Sequence, residues 1–193
     1  MKTICVFCGS SSGIDPDFIK AAINLGETLA ESQVTLVYGG AAAGLMGVIA
    51  NAVLEKGGKV IGVIPKFLAS KEVAHKNLTE LILVESMHER KMKMFELSEG
   101  FIAMPGGFGT LEEVSEMLTW QQLGLHRYPI GLLNINGYFS HLKLFFEEME
   151  KKKLLKLVDM KMALFEDSIP KLLESMSNYQ APDIAKVMSK ATS

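Results

Sequence analysis

The sequence predicts an α/β fold: a Rossmann-like, doubly wound and mostly parallel sheet of about six or seven strands with helices on both faces. Three observations carry this. Short β-branched runs alternate along the chain with longer segments of helical period. The short runs are continuously apolar rather than alternating, as in strands covered on both faces. At 193 residues, 48% of them hydrophobic and 22% charged, the chain is long enough to fill one core without a disulfide or a structural metal.

The strands are read, in order, at Thr3–Phe7, Thr35–Tyr38, 60–64, 81–84, 101–104 and Ile130–Leu133, with a weaker one at 162–165. Helical segments fall between them at 17–31, 45–55, 87–97, 111–123 and 141–152. Asp15-Pro16 opens the first helix, because a proline in the first turn lacks only an N–H that has no helical partner there. Residues 67–79 are too long for a simple turn, and such loops often border a site. Beyond Glu174 the chain is mixed and polar, which reads as a last helix and then fraying residues. The expected organisation is one domain over 1–180 with a tail at 181–193.

Charge and composition exclude several function classes. Lys plus Arg number 20 against 22 Asp plus Glu, a net charge of −2, so the basic excess of a general nucleic-acid binder is missing. No run approaches the roughly 20 apolar residues that cross a bilayer. The first strand meets Gly9-Ser10-Ser11 after five apolar residues, shorter than the ~7–15 of a secretory signal. With two cysteines and no such signal, a reducing, cytoplasmic compartment is expected. Those two, Cys5 and Cys8, form a C-x-x-C. Positions three apart on a strand project to opposite faces, and a zinc site needs about four ligands, so both read as small buried residues.

Ligands of parallel α/β sheets bind beyond the carboxyl ends of the strands. Four unusual stretches fall there: 9–13 (GSSSG), 39–47 (GGAAAGLMG), 86–91 (SMHERK) and 105–113 (PGGFGTLEE). In the last, glycines let backbone amides approach a ligand, and a helix starting near Thr110 adds free N–H groups and about half a positive charge. A phosphate suits that combination, with the Thr110 hydroxyl as a further donor. The stretch lacks the Gly-Lys-Ser/Thr of a Walker A loop, and 39–47 lacks G-x-G-x-x-G, so neither an NTPase nor a dehydrogenase is indicated. Thr110-x-x-Glu113 and Ser86-x-x-Glu89 also fit capping boxes. Capping suffices to explain Glu89; Glu113 is open to both readings. Arg90, near a helix start, opposes the local dipole and is explained more readily if an anion docks there.

On these residues the sequence resembles the LOG family, the cytokinin riboside 5′-monophosphate phosphoribohydrolases, long labelled lysine decarboxylases. Met87-His88-Glu89-Arg90-Lys91 resembles its M-H-x-R-K element, and residues 105–113 its P-G-G-x-G-T-x-x-E element. Cys8-Gly9-Ser10-Ser11, Gly39-Gly40, Gly44-Leu45-Met46-Gly47, Glu72-Val73-Ala74-His75 and the stretch 118–125 also align with its pattern. The resemblance spans roughly residues 2–170 and implies hydrolysis of the N-glycosidic bond of an N6-modified adenosine 5′-monophosphate to a free base and ribose 5-phosphate. It implies Arg90 and Glu113 as the catalytic pair. Substrate contacts are expected at Gly9, Ser10, Gly40, Glu72, Lys91, Gly106, Gly107, Phe108, Gly109, Thr110, Leu111, Glu112 and Thr119. No metal or organic cofactor is implied, and the partners are a nucleoside monophosphate and a second copy in a homodimer.

Departure of a purine leaves positive charge on the ribose, which a carboxylate beside C1′ stabilises. Glu113 fits that role, or holds the ribose hydroxyls, or orients water. Arg90 is no proton donor, because a guanidinium stays charged. His88 is a candidate acid, whereas His75, His126 and His141 read as structural or solvent-facing. Three other readings share the scaffold. A non-catalytic nucleotide or cofactor carrier needs the phosphate loop but not Glu113. A pyridoxal-phosphate decarboxylase needs a Schiff-base lysine, for which Lys91 alone is adjacent to the site. A nucleic-acid binder runs against the charge.

Overall fold

The computed structural model describes residues 1–69 and 73–182. Its first half runs β1 (Thr3–Phe7), α1 (Pro16–Glu31), β2 (Thr35–Tyr38), α2 (Gly44–Glu55), β3 (Val60–Pro65), α3 (Lys66–Ala69), β4 (Glu80–Val84) and α4 (Met87–Glu96). The second continues with β5 (Phe101–Ala103), α5 (Phe108–Gln122), β6 (Ile130–Leu133), a 3₁₀ turn (Ile135–Gly137), α6 (Ser140–Lys151), α7 (Leu157–Met160), β7 (Ala163–Glu166) and α8 (Ile169–Ser177). Seven strands form one sheet in the order β4-β3-β2-β1-β5-β6-β7, with every pairing parallel. The expected fold class is the observed one.

The chain winds outward from β1 through β2, β3 and β4, then crosses back to start the other half at β5. Strand order therefore reverses between β1 and β5, where a crevice opens beyond the carboxyl ends. The register aligns Phe7 of β1 with Ala103 of β5, and the Gly9 amide donates to the Pro105 carbonyl at 3.0 Å. That bond ties the two glycine-bearing loops together.

Each sheet face carries its own core. On one, α1, α2 and α8 bring Leu25, Leu29, Ile49, Val53 and Leu172 against Ile4, Val6, Leu36 and Ile102. On the other, Met94, Val114 and Met117 of α4 and α5 pack on Cys5, Phe7, Val37 and Phe101. Cys5 and Cys8 belong to different faces, as strand alternation requires, and burial raises both thiols far above their ordinary range. Among the described residues, no cluster of His, Cys, Asp or Glu is arranged to hold a metal, and no helix is long and apolar enough to cross a membrane.

Several boundaries differ from expectation. At α1, Asp15 caps the helix by accepting the Asp17 amide at 2.9 Å, with Pro16 in the first turn. Helix α5 starts at Phe108 with Gly107 as its N-cap, three residues earlier than the 111 expected, because the poor helix propensity of Gly109 hides the first turn in the sequence. The last helix begins at Ile169 rather than beyond Glu174, signalled by Ser168 and Pro170 at its start. Two single-turn helices, α3 and α7, had no periodicity long enough to detect. Of the expected tail, residues 183–193 lie outside the described residues.

Helices α1 and α2 meet at Gly26, where an added Cβ would stand 2.8 Å from both the Ala52 Cβ and the Ile49 carbonyl oxygen. Backbone cannot yield as a side chain can. Gly26→Ala is expected to lower stability by about 1–3 kcal/mol despite alanine's better helix propensity, as read by urea unfolding. An unchanged or raised midpoint would contradict this packing.

Candidate active site

Every strand near the switch point contributes to one cavity of about 450 Å³. Cys8, Gly9 and Ser10 line it from the end of β1, and Gly39, Ala41 and Ala43 from the end of β2. Arg90 and Met94 enter from α4, while Gly107, Phe108, Gly109, Thr110 and Glu113 enter from the start of α5. Met46, Ile64, Leu68 and Val73 complete an apolar wall. The expected convergence of four stretches on one rim is what the sheet produces.

Arg90 and Glu113 face each other across the cavity floor, Nη1 to Oε1 at 3.7 Å, with each side chain only 10% exposed. The arginine is held by its Nε–H, which donates to the Val63 carbonyl at 3.2 Å. Glu113 sits in the second turn of α5, so it caps nothing. The expected capping box at Thr110-x-x-Glu113 is wrong, since the N-cap is Gly107 and Thr110 is the third helical residue. At α4 the capping reading is right: Ser86 Oγ accepts the Glu89 amide at 3.1 Å, and the Glu89 carboxylate accepts the Glu85 amide at 2.7 Å.

Burial pushes the Glu113 carboxyl up to about 7, the nearby Arg90 charge offsetting only part of the loss of solvent. Near neutrality this carboxyl therefore exists in both protonation states, a property suited to proton transfer.

The first turn of α5 presents amides that have no partner within the helix. Gly107 and Gly109 have open space where a Cβ would stand, so the loop is uncrowded on that side. Gly106 differs: an added Cβ there would overlap the Thr110 hydroxyl, which fixes how tightly the loop turns into the helix. A second cavity of about 330 Å³ adjoins along Gly9, Ser10 and Gly106, where the Tyr138 hydroxyl donates to the Gly106 carbonyl at 2.5 Å.

Other expected contacts lie outside the main cavity. Gly40 is buried in a left-handed turn at φ +76°, its carbonyl accepting the His75 amide. Lys91 points between α4 and α5, paired with Glu112 and, at 3.1 Å, with Glu116. Leu111 packs against the core, and the Thr119 hydroxyl donates to the Ser115 carbonyl on the exposed side of α5. Glu72 lies outside the described residues. His88 is exposed and away from the cavity. His75 and His126 are structural: each accepts a backbone amide at Nδ1, so Nε2–H donates, to Asn51 Oδ1 and the Met117 carbonyl respectively. The apolar wall escaped sequence reasoning, because nothing local separates a cavity-lining Met46 or Ile64 from a core residue.

Residues 46–176 match a family model described as "Possible lysine decarboxylase". A cytokinin riboside 5'-monophosphate phosphoribohydrolase of Arabidopsis thaliana is 42% identical over 98% of this chain and 87% of its own length. A probable enzyme of the same name from Oryza sativa subsp. japonica is 51% identical over 76% of this chain and 65% of its own. The chain belongs to the LOG family. In solved structures, the Moco carrier protein from Chlamydomonas reinhardtii superposes with a TM-score of 0.69 at 19% identity, covering 97% of this chain and 98% of that one, a likeness of fold alone.

For a LOG-family chain the decarboxylase description does not suit the cavity. Among the described residues no lysine lines it, and Lys91 is committed to two carboxylates, so no amine is placed for a Schiff base.

Glu113 also sets a pH dependence of stability. The folded protein holds this proton up to about pH 7, whereas an unshifted carboxyl releases it near 4.5. Folding thus takes up a proton between those values, and stability falls as pH rises through the window. Glu113→Gln is expected to flatten that fall and to be more stable than the parent at pH 8, with the two converging below about pH 4.5, as read by urea unfolding across pH.

Proposed function

We propose that this chain is a nucleoside 5′-monophosphate phosphoribohydrolase: it hydrolyses the N-glycosidic bond of adenosine 5′-monophosphates, N6-modified ones included, releasing a free adenine-type base and ribose 5-phosphate. The observation that carries this is a buried carboxylate and a buried guanidinium 3.7 Å apart, beside a helix start whose amides are open to an anion. In the proposed geometry the 5′-phosphate lies against the amides of Gly107, Gly109 and Thr110, with the Thr110 hydroxyl as a donor. The apolar wall then takes the base, and the ribose C1′ lies near Glu113.

The C1′–N bond breaks with its electron pair going to the base, which takes a proton from solvent, while water adds to C1′. Ionised Glu113 stabilises the positive charge that develops on the ribose and accepts the proton of the attacking water. A base with a pKa near the working pH does this efficiently. Arg90 holds the Glu113 carboxylate and hydrogen-bonds the departing base; it moves no proton.

The remaining expectations stand as part of the same proposal. Residues 1–180 act as one nucleotide-binding unit in the cytoplasm, and two copies pair through apolar surface such as Leu144 and Phe145 of α6, each more than half exposed. Lys91 and Glu112 contribute by joining α4 to α5 rather than by touching the nucleotide.

Purified protein incubated with AMP and with isopentenyl-AMP should release ribose 5-phosphate; tight binding of either without turnover would leave a carrier instead. Glu113→Gln should lower kcat by about 10²–10⁴-fold with the fold intact by circular dichroism. In the parent, kcat/KM should fall as pH drops through about 7, and the residual activity of Glu113→Gln should lack that dependence.

A further inference from the structure

Arg90 occupies a slot that the chain keeps open at one position. An added Cβ on Gly39 would stand 1.9 Å from Arg90 Nη2, 3.1 Å from its Cζ and 3.0 Å from the Met46 sulfur. Gly39 does not have the positive φ that its neighbour Gly40 shows. A left-handed backbone therefore explains the glycine at 40 and does not explain the one at 39. Its only demand for glycine is spatial, and what fills the space is a guanidinium.

The rest of the slot is rigid. Val63, whose carbonyl accepts the Arg90 Nε–H, lies in β3, and β3 pairs in register with β2 just before Gly39. The guanidinium is thus pinned by one strand's carbonyl and passes directly over the bare Cα of the next.

The structure assigns Gly39 as a positioning residue for the hydrolysis: by lacking a side chain it admits the Arg90 guanidinium to the place where it faces Glu113. This rests on the reading of Arg90 as part of the catalytic machinery. Any larger residue at 39 drives the guanidinium off the Val63 carbonyl and away from the carboxylate, a displacement of an ångström or more.

Misplacement on that scale lowers kcat/KM by about 100-fold. The experiment compares four proteins: the parent, Gly39→Ala, Arg90→Ala and the double variant, each assayed for ribose 5-phosphate release from AMP with and without added methylguanidinium. Gly39→Ala is expected to lose about 100-fold in kcat/KM, and the double variant to be no worse than Arg90→Ala alone. Methylguanidinium should restore activity to Arg90→Ala, where the slot is vacant, and fail to restore it to the double variant, where a methyl group blocks it. Should Gly39→Ala unfold, its loss of melting temperature should disappear in the Arg90→Ala background, since the overlapping partner is gone.

The outcomes separate the two claims. Full activity in Arg90→Ala would overturn the catalytic reading of Arg90. Loss of activity in Arg90→Ala with equal rescue in both backgrounds, or with parent-like activity in Gly39→Ala, would overturn the assignment of Gly39 alone.

Discussion

The site depends on one topological constraint: strand order reverses beside β1, so the loops after β1 and β5 must diverge to opposite faces of the sheet. The hydrogen bond from the Gly9 amide to the Pro105 carbonyl is the last tie before they part. Beyond it the crevice cannot close, and side chains from four strand ends share the space. Parallel strands alone would not achieve this, since a sheet wound in one direction would keep covering its own loop ends.

Two cations of α4, Arg90 and Lys91, then fix it against α5 through three ion pairs, and they divide the work. Lys91 lies buried between the two helices with Glu112 and Glu116, while Arg90 with Glu113 faces the cavity. Adjacent residues on each helix point roughly 100° apart, so neighbouring motif letters serve different tasks. Burial acts on both: it raises the Glu113 carboxyl, and at Lys91 it opposes the carboxylates that hold the ammonium charged.

Much of the architecture was legible in the sequence because period and continuity of hydrophobicity are local quantities. The strands Thr3–Phe7, Thr35–Tyr38 and Ile130–Leu133 are observed at their expected bounds. The opposed faces of Cys5 and Cys8 followed from strand alternation alone. The start of helix α5 is not legible because Phe108 and Gly109 carry no helical signal, and with a start read near Thr110 a capping role for Glu113 stays open. Glu89, in a sequence setting of the same form, is a cap. Local pattern could not tell the two glutamates apart.

The sequence by itself determined the winding, the strand ends at which a ligand must sit, and the glycine-flanked helix start that suits a phosphate. These depend on backbone periodicity and on which residues free the backbone from a side chain. Only the tertiary structure decided which carboxylate is buried, which cation faces it, and why position 39 has no side chain. Those are facts about space shared by residues about 25 to 75 positions apart, and no run of neighbouring letters records who occupies it.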